Sequence, residues 1–284
     1  MRTWPAGVHA HEGGVGGGTT ALVLLIPFAL ALLLYLGAVA ITRHRGRPWP
    51  WYRSVFWFLG VAAAASAFAV PTVGGFAAHM AGHLLLGMVA PLLLVRAAPV
   101  TLALRTLGVV PARRLSRMLH SAPARILTYP VIAAVLNFGS LLLLYRTPLF
   151  ALMMADPIVH VVVLTHVLIA GYLFTVSLVS VDPAPHRSPF ALRASVLVLS
   201  IAAHGILAKS LVASPPVGVG AADAEAAARL MFSGGDAVEL IIAVLLCAQA
   251  YRAAGRRLGA APRSALAAPP SLGGPRSSRG WSPS

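Results

Sequence analysis

Acidic residues are scarce in this chain: its 284 residues include only seven Asp and Glu, against 22 Lys and Arg. Charged residues are 10% of the total, where a soluble domain carries about 25%, and this excludes an ordinary soluble globular fold. The one cysteine, Cys247, excludes an intramolecular disulfide and any C-x-x-C metal or redox motif, and is expected to be a small buried apolar residue. There is no H-E-x-x-H, no Gly-rich phosphate loop followed by a basic helix and no Ser-His-Asp arrangement, so a hydrolase has no support and no enzymatic activity is expected. The basic residues are not interleaved with aromatics. They lie between and after apolar runs, so the net charge of +15 sets topology rather than pointing to nucleic acid.

What is abundant is apolar surface. The chain is 58% hydrophobic with a mean hydropathy of +0.82. Its apolar runs of about 20 residues predict an all-α, polytopic bundle of seven transmembrane helices, at 20–41, 52–70, 78–95, 126–144, 158–181, 190–212 and 230–251. Trp49, Trp51, Tyr52 and Trp57 form an interfacial cluster at the second span. The loop 96–125 holds six arginines, and part of it reads as a surface-lying amphipathic helix. The flanking segments read as a flexible outer tail (1–18) and a disordered basic cytoplasmic tail (255–284) around a membrane domain at 19–254. With the N-terminus outside, 18 of the 22 basic residues fall inside. The exceptions are Arg2, Arg146, Lys209 and Arg229, and the split predicts N-out, C-in in a bacterial plasma membrane.

On that topology the ionisable residues within the spans share the outer half of the bundle. His79 and His83 stand four apart on one face of the third span, the spacing that presents two nitrogens to one metal. His160 lies near the outer end of the fifth span and His166 about two turns below. Being six apart, they cannot both face one point. His204 lies about 12 Å beneath the outer surface in the sixth span, and Asp236 and Glu239 fall in the first turns of the seventh, three apart and on one side. Each has a structural reading. His79 can be a wetted helix start, His204 a hydrogen-bonding contact between helices, and Asp236 and Glu239 a cap and a dipole-favoured acid. Together they suit a metal: imidazoles beside the thioethers of Met80, Met88, Met153 and Met154 favour copper. Histidines on different helices also leave haem open.

The stretch HMAGHLLLGMVAPLLLVRAAP (79–99) resembles the signature of the CtaG-type (caa3) cytochrome c oxidase assembly factors. Y-R-T-P-L-F (145–150), G-Y-L-F (171–174), D-P-x-P with a following arginine (182–187), His204-Gly205 and G-G-D-x-x-E (234–239) agree in order and spacing. The resemblance covers about residues 20–255. It implies a seven-helix protein that helps mature the copper-containing core of a haem-copper oxidase by handling copper, as Cu(I), at the outer face. The expected metal residues are His79, His83, His160, His166 and His204, with Asp236, Glu239 and Met80 as auxiliaries. The expected partners are oxidase subunits and the lipid bilayer. The alternatives are a haem-binding membrane redox protein and a metal or proton transporter. The transporter reading needs ionisable groups that continue inward, and the spans lack these below His166.

Overall fold

Proline and glycine decide where the apolar runs break into helices. The computed structural model describes residues 16–69, 75–179, 181–183, 186–216 and 218–259. Eleven helices run through them: α1 (Gly16–His44), α2 (Trp51–Ala69), α3 (Gly75–Arg96), α4 (Pro99–Thr106), α5 (Val109–Leu119), α6 (Ala122–Leu127), α7 (Pro130–Arg146), α8 (Leu149–Ala155), α9 (Pro157–Val179), α10 (Phe190–Ala213) and α11 (Ala221–Gly259). Pro99, Pro130 and Pro157 each take the first helical position, where a missing N–H costs nothing. No strand occurs among the described residues. Of the expected tails, residues 16–18 and 255–259 are helical, in α1 and α11, and residues 1–15 and 260–284 lie outside the described set.

Among the described residues, five segments are long and apolar enough to cross a membrane: Leu24–His44 of α1, α3, α9, α10 and Ala221–Arg256 of α11. The pair α7 and α8, bent by 80°, makes a sixth if it is one span. Helix α2, with 19 residues, is not among them; its first turn carries Tyr52 and Arg53. The chain is therefore a multi-pass, all-helical membrane protein. Apolar side chains that face outward, such as Leu33, Phe58, Val198 and Leu240, suit a hydrocarbon surround.

Four expectations change. The fourth apolar run does not start at 126: α6 ends at Leu127, and Pro130 forces Tyr129 into extended backbone (φ −69°, ψ 125°) before α7 begins. The seventh helix starts at Ala221, not near 230, because the alanine-rich stretch after Gly220 has high helix propensity. Half of the expected aromatic belt is core: Trp49 is 4% exposed and donates to the Tyr35 hydroxyl at 3.2 Å, while Trp57 stacks on the Tyr35 ring at 4.6 Å. Only Trp51 and Tyr52 of that cluster face outward. Cys247 is exposed rather than buried. The buried side of α11 runs through Val238, Ile242 and Leu246, and one residue further turns the helix by about 100°.

Helix α3 contains a π-turn at Leu85–Val89. Its cause is two residues downstream. Pro91 has no N–H, and its ring excludes the carbonyl of Gly87, so the helix widens by one residue to pass it. Gly171 of α9 packs against that carbonyl: a Cβ at 171 would fall directly onto the Gly87 oxygen and 3.1 Å from Pro91 Cγ. The A-P of one sequence motif and the glycine of G-Y-L-F are thus two halves of one helix crossing.

Candidate functional site

The end of the bundle where α3 and α9 begin holds a cavity of about 300 Å³. Its wall includes His79 and His83 of α3, Met153 and Met154 of α8, and His160 of α9, closed by Asp223 of α11. Local geometry explains each placement. Asp156 accepts from the backbone N–H groups of Ile158 (2.7 Å) and Val159 (3.2 Å), which starts α9 at Pro157 and sets His160 in its first turns. The bend between α7 and α8 lays Met153, 1% exposed, and Met154 across the cavity.

Asp223 anchors the start of the histidine helix. Its carboxylate accepts from the backbone N–H of Phe76 (2.5 Å) and of Ala77 (3.1 Å), both orphan donors in the first turn of α3. Gly75 enters that turn with φ +74°, and a Cβ there would lie 2.9 Å from Asp223 Oδ2. An acid from a helix 147 residues away therefore caps the element that carries His79 and His83. Asp223→Ala should destabilise the protein by about 1–2 kcal/mol, and Asp223→Asn by less because an acceptor oxygen remains. Equal melting temperatures for wild type and Asp223→Ala in detergent would show that the cap contributes nothing.

His79 is held from behind. Its Nε2 lies 3.1 Å from the hydroxyl of Tyr145, which is 4% exposed and also donates to Met80 Sδ at 3.9 Å. The contact between the phenol and Nε2 fixes the orientation of the His79 ring. The ring also meets Phe150 at 5.1 Å. His83, one turn deeper and 6% exposed, stands edge-on to Tyr145. Gly87 leaves room for it, since a Cβ there would sit 3.3 Å from His83 Cε1.

His204 and Glu239 form a separate buried pair. His204 Nδ1 lies 3.4 Å from Glu239 Oε1, and the two side chains are 3% and 1% exposed. Neither the Nε2 of His204 nor either oxygen of Glu239 has a well-aligned hydrogen-bond partner. His204 does not line the cavity, but it is an electrostatic neighbour of His83, as His160 is of His79. Gly235 makes the pair possible, because a Cβ at that position would fall onto the His204 ring; one at Gly234 would lie 2.7 Å from Leu84 Cδ1. The glycine pair is therefore a docking notch in mid-helix rather than a helix start.

The remaining expected residues lie elsewhere. His166 is exposed on another face of α9 and donates from Nε2 to the Leu136 carbonyl at 3.3 Å, within the second π-turn, Val135–Gly139. This settles which of the two span-five histidines reaches the cavity: His160 does. Asp236 is exposed while Glu239 is buried, so the three-residue spacing splits them across the surface of α11. Tyr145 and Asp223 were not among the expected site residues. The available signals were a tyrosine opening Y-R-T-P-L-F and an aspartate in a chain with almost no acids.

Among the described residues no three His, Cys, Asp or Glu side chains stand close enough to enclose one ion. A hard ion needing many oxygen or nitrogen donors does not suit this cavity. Its wall does combine two thioethers with three imidazoles.

An uncharacterized protein of Mycobacterium leprae is 34% identical over 170 residues, 56% of this chain and 26% of that protein. Uncharacterized proteins of Mycobacterium bovis and Mycobacterium tuberculosis are each 37% identical over 143 residues, 48% of this chain and 22% of theirs. This chain thus aligns with about a quarter of the length of those relatives. No solved structure matches it. The family described as cytochrome c oxidase caa3 assembly factor (Caa3_CtaG) matches residues 33–253, with the A-P, G-Y-L-F and G-G-D-x-x-E segments that build the helix crossing and the His204 notch inside that range; the chain belongs to that family.

Proposed function

We propose that this protein is a non-enzymatic assembly factor that binds Cu(I) as cargo and passes it to a cytochrome c oxidase subunit. The observation that carries this reading is the convergence of His79, His83, His160, Met153 and Met154 on one cavity. In this reading His83 and His160 are the main imidazole donors, and His79, nearer the helix start, is the entry donor. Tyr145, itself in contact with Met80, holds His79 in orientation. His204, oriented by Glu239, is the next imidazole inward. The cavity faces the outer side of a seven-span, N-out, C-in bundle, supported by the 18-to-4 distribution of basic residues. Helix α2 and the bent pair α7 and α8 supply the two spans beyond the five that length and composition already mark.

The chemistry follows from the donor set. Neutral imidazoles and thioethers hold Cu(I) without a thiolate, and release to a partner is a ligand exchange in which copper keeps its oxidation state. An anaerobic competition titration of the purified protein against a chromogenic Cu(I) chelator tests it. His83→Ala and His160→Ala should each weaken Cu(I) binding by about tenfold or more, and His79→Ala by less. Wild-type protein that fails to compete, or buried-ligand variants that compete as well as wild type, would overturn the assignment.

A further inference from the structure

At the end of the bundle opposite the histidine cavity, the start of α10 and the end of α11 enclose a groove of about 930 Å³. Arg187, Arg193, Arg252 and Arg256 line it, and its wall includes no Asp or Glu. Arg187 donates to the Gln249 side chain, also in the wall, but no acid offsets the four guanidiniums, so the groove carries a positive potential that favours an anion. Arg193 carries the argument further. It is 6% exposed, and one of its NH groups donates to the Leu178 carbonyl at the end of α9 at 2.6 Å, but its Nε–H is buried with no partner. A buried charged donor left unmade is costly.

The position of the groove indicates the anion. The spans of α10 and α11 terminate at Phe190 and Arg256, so these arginines sit at the level where a bilayer places its headgroups. Phe190 lines the groove and is 43% exposed, and Tyr251, one residue before Arg252, is 82% exposed. Apolar rings beside guanidiniums match an amphiphile better than a free anion. We propose that this groove binds the phosphate of an acidic phospholipid, with Ser188 as an added donor. The bound headgroup bridges α10 and α11, the two helices that carry His204 and Glu239. The proposal does not depend on the copper reading.

The test uses the full chain in neutral detergent, with lipid retention read by native mass spectrometry. Wild type should retain phosphatidylglycerol over phosphatidylcholine. The double variant Arg252→Gln/Arg256→Gln should reduce that preference by about tenfold, while its melting temperature without lipid stays at the wild-type value, because both side chains lie outside the core. Equal retention of the two lipids, or an unchanged preference in the double variant, would overturn the proposal. Displacement of the lipid by millimolar inorganic phosphate would also overturn it, by identifying a free-phosphate site.

Discussion

Cytochrome c oxidase purified from cells lacking this protein should contain its normal haem and be several-fold depleted in copper. The expectation rests on the proposed cargo: in that reading the imidazoles and thioethers of the cavity carry copper and take no part in haem insertion. His160→Ala should reproduce the defect. It is the best single probe because His160 lines the cavity, is only half-buried and has no structural partner on which the fold depends. His204→Ala is a poorer probe, because removing the imidazole leaves Glu239 buried and alone, a change that destabilises by several kcal/mol in comparable sites. Copper added to the medium should partly restore the ratio by mass action through weaker routes. The measurement is the copper-to-haem ratio of oxidase from wild-type, deletion and His160→Ala strains, with membrane abundance of the variant checked by immunoblot. A normal ratio in the deletion, with only the amount of enzyme reduced, would rule out copper delivery and leave a general chaperone of oxidase subunits.

Gly171→Ala is expected to be the most disruptive single methyl addition in the described chain. The new Cβ would land on the Gly87 carbonyl oxygen and 3.0 Å from its carbon, with Pro91 Cγ at 3.1 Å. None of these atoms belongs to a flexible side chain, so α3 and α9 would have to separate. Separation breaks the packing of Leu86 and Ala90 against Leu164 and Val167 and moves His83 away from His160. Overpacking against backbone costs about 3 kcal/mol or more, which lowers the melting temperature by about 10 °C in a domain of this size. Gly37→Ala is the control, since a Cβ there meets nothing within 4 Å and alanine favours helix by about 0.5–1 kcal/mol. Thermal unfolding of both variants in the same detergent decides the matter. A Gly171→Ala protein as stable as Gly37→Ala would mean that the crossing is looser than described.

Scarcity made some of the site legible in the sequence. With seven Asp and Glu in the whole chain, each acid was worth explaining. Asp156, Asp182 and Asp223 prove to cap the first turns of α9, α4 and α3 respectively. The Asp156 cap is local and readable from D-P. The other two are not. Asp182 reaches Thr101 across 81 residues, and Asp223 reaches Phe76 across 147. Glu239 looked equivalent to Asp236, but packing of α11 against His204 of α10 buries Glu239 and leaves Asp236 exposed.

The amino-acid sequence alone determined that the chain is a bundle of apolar helices with its polar residues concentrated towards one end. It did so because hydropathy and helical spacing are properties of each segment by itself. It also determined that His79 and His83 share a face, since a fixed four-residue step on one helix needs no partner to define it. Only the tertiary structure decided that His160 and not His166 joins them, that Tyr145 and Asp223 fix the histidine helix, and that Gly171 and Gly235 are gaps filled by another helix. Those outcomes depend on how two helices rotate and cross. Here that was set by the widening of α3 at Pro91 and by close approach at single glycines, and neither leaves a periodic trace along the chain.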